Sequence, residues 1–224
     1  MSVIAGVLTW NPIANDRVAL LDKTVGSLDC EVVVFNNGST DGYTTDQGFD
    51  IPRLPGFPHG NTCGYGMNKM AATLDADIII MSNDDIIWHP DAVQRVEAIW
   101  GEAPDDLTIL SGLVEPTFAL PDTEPWNKPY GTAELAGETI LLRKSVPGGA
   151  WTFRAADKPL IFPVSTFPGV DDVPACHRLI AQKHAVAAAD LADHAGVGQS
   201  TWGNASHERF IIQTRDEVRD EYGI

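Results

Sequence analysis

Basic residues are scarce in this chain. Its 224 residues hold 15 Lys and Arg against 31 Asp and Glu, a formal charge of −16. A surface of that sign repels polyphosphate, which disfavours unassisted binding to DNA, RNA or anionic membranes unless a local basic patch overrides it. Cysteine is scarce too. Cys30, Cys63 and Cys176 cannot all pair and show no C-x-x-C spacing, so they read as reduced thiols in a reducing compartment. No apolar run approaches the roughly 18 residues of a membrane span. The opening Met1-Ser2-Val3-Ile4-Ala5-Gly6 lacks the basic and apolar regions of a signal peptide. A soluble, cytoplasmic protein is expected, which makes the sequons at Asn37 and Asn204 chance matches. Also missing are a G-x-x-x-x-G-K-S/T P-loop and a G-x-G-x-x-G after the first strand, which disfavours a P-loop NTPase or a dehydrogenase.

What remains is an ordinary globular composition, 44% hydrophobic and 21% charged. The length suits one ample domain with a core that needs no staples. Three apolar runs, residues 3–9, 31–35 and 77–81, each halt at a polar cluster: Thr9 and Asn11; Asn36-Asn37-Gly38-Ser39; and Ser82-Asn83-Asp84-Asp85. Such runs suit strands buried on both faces, as in parallel sheets. Helical spacing separates them. Val18, Leu21 and Val25 follow a possible cap at Asp16; Met67, Met70, Ala71 and Leu74 repeat next; Pro90 precedes Ala92, Val93, Val96, Ile99 and Trp100. The β-α-β-α-β-α pattern predicts a doubly wound α/β fold, whose ligands bind at the carboxyl ends of the strands.

The second half is less regular. Strands are predicted over residues 107–114, 139–142 and 150–153, and a helix over 173–183, with Pro174 tolerated in its first turn. Residues 115–130 carry Pro116, Pro121, Pro125 and Pro129 with Phe118, Trp126 and Tyr130. That composition predicts a surface loop whose aromatic faces suit stacking on sugars or bases.

Asn83-Asp84-Asp85 carries most of the chemistry. Adjacent carboxylates repel, so a cation at the strand end is expected, and Mg²⁺ or Mn²⁺ suits these oxygen donors. A turn capping the next helix is the plainer alternative. Asp171-Asp172 reads as a helix start, where acidic residues are favourable. His194 precedes Gly196, Gly198 and Ser200.

Taken in order, these pieces resemble the family 2 glycosyltransferases of the GT-A fold. Phe35-Asn36-Asn37-Gly38-Ser39-Thr40-Asp41-Gly42 is similar to their V-D-N-G-S-T-D-G turn. Asn61-Thr62-Cys63-Gly64-Tyr65-Gly66-Met67-Asn68 resembles N-x-G-F-x-x-x-N, and Ser82-Asn83-Asp84-Asp85 with Pro90-Asp91 resembles the relaxed D-x-D segment. Gly148-Gly149-Ala150 with Arg154 resembles G-A-x-x-x-x-R; Asp171-Asp172 through Arg178 resembles E-D-x-D-L-C-x-R; His194, Gly198 and Ser200 resemble H-x-x-G-x-S.

The resemblance spans residues 3–201 and implies one GT-A domain with a mostly parallel central sheet. Residues 1–101 would form the nucleotide-sugar half, 102–205 the acceptor half, and 206–224 a terminal helix or tail. Thr9, Asn11, Asn36, Asn37, Asn61 and Gly149 would line the donor pocket, with Asp41 supporting its loop. Asn83 and Asp85 would touch ribose and metal, Asp84 would stand between them, and His194 would complete the sphere of a Mn²⁺ or Mg²⁺ ion. Asp172, or failing it Asp171, would be the base of an inverting transfer from a nucleotide-sugar, commonly a UDP-sugar, to a protein, a glycan or a modified base. Asn36 in place of Asp, Asn83 in place of the first D-x-D acid and Pro174 in place of the last acid depart from the pattern. A sugar nucleotidyltransferase is the competing class, but its glycine-rich loop is absent, because residues 9–15 contain no glycine.

Overall fold

The computed structural model describes residues 1–45, 48–55, 61–114, 128–163 and 172–195. The three apolar runs form β1 (Val3–Thr9), β2 (Glu31–Asn36) and β4 (Ile78–Asn83). They lie side by side and parallel, with β1 between the other two. A short β3 (Gly48–Asp50) extends the edge beyond β2. Ile78, Ile79, Ile80 and Met81 are fully buried, as the near-continuous run requires of a strand covered on both faces.

The sheet continues through the second half. It holds nine strands in the order β3-β2-β1-β4-β9-β6-β10-β8-β7. The further members are β6 (Leu107–Ser111), β7 (Gly131–Leu135), β8 (Glu138–Arg143), β9 (Ala150–Arg154) and β10 (Ala185–Ala188). β9 runs antiparallel to both β4 and β6, and so welds the two halves. β10 is parallel to β6 and antiparallel to β8. The sheet is therefore parallel on the β1 side and mixed on the other. A separate pair, β5 (Ile86–Trp88) and β11 (Ala192–His194), stands beyond the end of β4.

The helices mostly follow their spacing. In α2 (Cys63–Thr73) and just beyond it, Met67, Met70, Ala71 and Leu74 are all buried. α3 (Ala92–Glu102) buries all five expected residues, and its Trp100 Nε1 donates to Thr152 Oγ1 on β9 at 2.8 Å. α1 (Val18–Gly26) differs from expectation. Its N-cap is Arg17, not Asp16, and Val18 is 38% exposed while Leu21 and Thr24 are buried. The buried face is rotated from the apolar stripe because the Thr24 hydroxyl turns inward and donates to the Asp84 carbonyl at 3.0 Å. α4 (Lys158–Ile161) was not expected, and α5 (Asp172–Ala181) occupies the predicted last helix.

Gly66 shows why α2 sits where it does. A methyl group there would lie 2.7 Å from Leu8 Cδ1 and 2.9 Å from Asn37 Oδ1. Only glycine lets the first turns of α2 press against the ends of β1 and β2. Among the described residues no helix is long and apolar enough to cross a membrane. The proline-rich segment up to residue 127, Asp171, and all residues after 195 lie outside the described residues.

Candidate functional site

The chain leaves β1 toward β2 on one side, and β4 lies on the other, so the sheet changes direction at β1. Crevices open at such a point, beyond the carboxyl ends of the strands. Here the end of β1 supplies Thr9, the end of β2 supplies Asn36 and Asn37, and the end of β4 supplies Asn83, Asp84 and Asp85. A cleft of about 70 Å³ lies among them, lined by Thr9, Asn37, Asn61, Asn83, Asp84 and Asp85, with Arg17 and Cys63.

The two carboxylates are buried, 3% and 5% exposed. Asp84 is held on every side. Its Oδ2 accepts the Thr9 hydroxyl at 2.6 Å, its amide donates to the Leu8 carbonyl at 3.1 Å, and its carbonyl accepts from Thr24. Asp85 is held less. Its Oδ2 lies 3.2 Å from His194 Nε2, and its Oδ1 is buried without a hydrogen-bond partner among the described residues. β11 delivers the histidine: His194 pairs with Ile86 across the β5–β11 ladder, and the Ala195 amide donates to the Asp85 carbonyl at 2.8 Å.

The cation demanded by the acidic pair is Arg17. Its Nη2 lies 2.6 Å from Asp84 Oδ1 and 2.6 Å from Asp85 Oδ2. The expected repulsion is therefore met within the chain, and the pair does not by itself require a metal. The two acids titrate in opposite directions. Burial pushes Asp84 up to about 6 despite the opposing pull of Arg17 and Thr9. Burial also works against ionisation of Asp85, but the hydrogen bond to His194 and the charge of Arg17 outweigh it and hold that carboxyl below its ordinary value.

Several predicted residues build the walls and do not face the cleft. Asn36 donates from Nδ2 to the Tyr43 carbonyl at 3.1 Å and to Asp50 Oδ1 at 2.8 Å, while its Oδ1 accepts from the Ser39 amide. Asn11 accepts the Thr40 amide at 2.6 Å. Asp41 accepts the amides of Ile13, Ala14 and Tyr43 at 2.8–3.0 Å. Burial would raise its pKa, but those amides win and lower it. Asn11 and Asp41 together bind the loop after β1 to the loop after β2. Asn61 lines the cleft, yet its amide is spent on Leu54 and Pro52. Asn37 Nδ2 donates to the Thr62 carbonyl, leaving Oδ1 buried without a partner among the described residues.

Asp172 opens α5, and its Oδ2 accepts the Gly148 amide at 3.2 Å. Gly149 stands on the other side of this turn, where its carbonyl accepts the Asn83 amide at 2.8 Å. A methyl group on Gly148 would lie 3.0 Å from Asp172 Cβ, and one on Gly149 would lie 3.1 Å from Asn83 Nδ2. The two glycines thus form a thin partition that brings Asp172 up to the end of β4.

Sequence reasoning missed Arg17 and Thr24. A signal for Arg17 was present, since it and Lys23 are the only basic side chains in the first 52 residues. Among the described residues no three His, Cys, Asp or Glu side chains group as a metal site.

No family model matches the chain, and no curated protein does. Solved structures do. S. aureus TarS 1-349 aligns with a TM-score of 0.54 at 15% identity, over 84% of this chain and 58% of that one. A structure of TarS 1-349 in complex with UDP-GlcNAc aligns at 0.53, with 15% identity over 84% and 56%. The glucosyl-3-phosphoglycerate synthase from Mycobacterium tuberculosis in complex with Mg²⁺ and uridine diphosphate aligns at 0.51, with 14% identity over 100% of this chain and 80% of that one. The chain spans somewhat over half the length of TarS 1-349. At these identities the likeness is one of fold, and the fold of this chain is GT-A.

Proposed function

We propose that the chain is an inverting glycosyltransferase that moves a sugar from a nucleoside-diphosphate donor, of the UDP class, to an acceptor hydroxyl. The observation that carries the reading is the buried Asp84–Asp85 pair at the end of β4, facing Thr9, Asn37 and Asn61 in one cleft of a GT-A fold. Ligand pockets commonly measure about 300–1,000 Å³. The cleft, at about 70 Å³, is therefore the floor of a donor site, fit for part of the nucleotide. Asn37 also lines the cleft, and its Oδ1, set against Gly66 of α2, has no hydrogen-bond partner among the described residues.

The residues fit a divalent cation. The buried Asp85 Oδ1 has no partner among the described residues, and His194 lies beside the same carboxylate. Hard dications take one or two carboxylates and complete their shell with phosphate oxygens. Asp85 and His194 would hold Mn²⁺ or Mg²⁺, with Asn83 alongside. When bound, the ion neutralises charge on the departing diphosphate.

Asp172 is the base of this reading. It lies across the Gly148–Gly149 partition from Asn83. Its carboxylate takes the acceptor hydroxyl proton while that oxygen attacks the anomeric carbon from the face opposite the diphosphate. The bond to the diphosphate breaks as the new one forms, and the configuration inverts. A positioned base contributes about 10²–10⁴-fold. A screen of nucleotide-sugars by thermal shift and hydrolysis with Mn²⁺ identifies the donor. In that assay Asp172→Asn should lose transfer and keep UDP affinity. Unchanged transfer would transfer the assignment to Asp171.

A further inference from the structure

We infer that Arg17 is a resident counter-ion that competes with the divalent cation for Asp85, and so sets how tightly this site takes a metal. This rests on the reading of Asp85 as a metal ligand. Arginine usually binds carboxylates as a fork, two nitrogens to two oxygens. Here one nitrogen serves both acids, Nη2 lying 2.6 Å from Asp84 Oδ1 and 2.6 Å from Asp85 Oδ2. That nitrogen is buried between the two carboxylates. A nitrogen shared in this way grips neither acid with the two-point fork that would lock it.

Its partners are unequal. Asp84 is fixed by Thr9 and Thr24. Asp85 keeps one oxygen unpartnered. A dication approaching Asp85 meets a guanidinium already against the same carboxylate, and like charges at such a separation in a buried site repel strongly. The backbone of Arg17 cannot retreat. Its amide donates to the Pro12 carbonyl at 2.7 Å, and its carbonyl accepts from Leu20 and Leu21 in the first turn of α1. The preceding loop is bound to Asp41. Only the side chain is available to move, so displacement of its head from Asp85 is the step that metal binding must drive.

Calorimetric titration of MnCl₂ into the full chain, with and without UDP, tests this. Arg17→Gln should bind Mn²⁺ at least tenfold more tightly than the wild type, a gain of about 1.4 kcal/mol. Arg17→Lys, which keeps the charge, should stay within about threefold of the wild type. Where Arg17→Gln does not fold, Arg17→Gln/Asp84→Asn removes one charge of each sign and carries the same expectation. Mn²⁺ should also raise the melting temperature of the Gln variants more than that of the wild type. Equal affinity in wild type and Gln variants overturns the competition while leaving the metal reading standing. No Mn²⁺ binding in any background, even with UDP, overturns both.

Discussion

The strands of the sheet have two ends, and hollows of very different size lie at each. At the carboxyl ends is the small cleft of about 70 Å³ that holds Asp84, Asp85 and Arg17. At the amino ends of β1 and β4, beside the carboxyl end of β9, is a wide, open depression of about 690 Å³, lined by Met1, Ser2, Asp75, Asp77 and Arg154 among others. The larger hollow is chemically satisfied. Asp77 is exposed and accepts the Ser2 amide at 2.7 Å and the Ser2 hydroxyl at 3.1 Å. The Met1 ammonium donates to Glu97 at 2.8 Å, and Arg154 is spent on the carbonyls of Ala103 and Pro104. In the smaller hollow, charge is buried and two oxygens, Asp85 Oδ1 and Asn37 Oδ1, have no partner among the described residues. Unsatisfied buried polarity marks a site better than volume does.

Substitutions at the two ends should therefore differ in kind. The largest effect belongs to Asp172→Asn, expected to lower transfer by about 10²-fold or more in a steady-state assay, with little change in melting temperature. A similar loss from Asp77→Asn would erase the contrast between the ends.

The next effect is one of sign. Asp84 titrates near 6 in the fold against an ordinary 3.8. The folded chain keeps this proton where the unfolded chain has released it. Its contribution to stability is thus complete at low pH, declines as pH rises between those values and stays lost above them. The decline amounts to at most roughly 3 kcal/mol. Asp77 is held below its ordinary value by the Ser2 amide and hydroxyl, so its contribution is present at neutral pH and lost as pH falls. Denaturant titrations from pH 4 to 7 should show the first trend weakened in Asp84→Asn and retained in Asp77→Asn.

Gly66→Ala places a methyl group against Leu8 and Asn37 and should cost about 1–3 kcal/mol by overpacking, with weaker nucleotide binding. The smallest effect is expected far from either hollow. Glu138 pairs with Arg95 through bonds of 2.6 and 2.7 Å at a partly exposed position. Glu138→Gln should cost about 0.2–1 kcal/mol, read from denaturant midpoints, and leave transfer unchanged.

The legibility of the sequence also divides the molecule. β1 and β4 were readable because strands covered on both faces must be apolar throughout, β2 because its valines are β-branched though only half-buried, and α2 and α3 because each buries one stripe. β10 escaped notice because it is alanine-rich; it lies between β6 and β8, where burial and pairing override a weak intrinsic preference. β5 and β11 are too short for a periodic pattern, each spanning 3 residues. In the site, the polar clusters ending each strand were visible as sequence. Their division of labour was not, because whether Asn36 or Asn37 faces the cleft depends on partners such as Tyr43 and Asp50. Arg17 was obscured for a related reason. It sits in no motif and acquires its role only when α1 folds back beneath the end of β4.

Titration of UDP into the chain with Mn²⁺ present, compared between wild type and Asp85→Ala, tests the donor-site assignment most directly. Saturable UDP binding by the wild type that needs Mn²⁺ and is lost in Asp85→Ala is the predicted result. Failure of the wild type to bind UDP, or equal binding by both proteins, would contradict it.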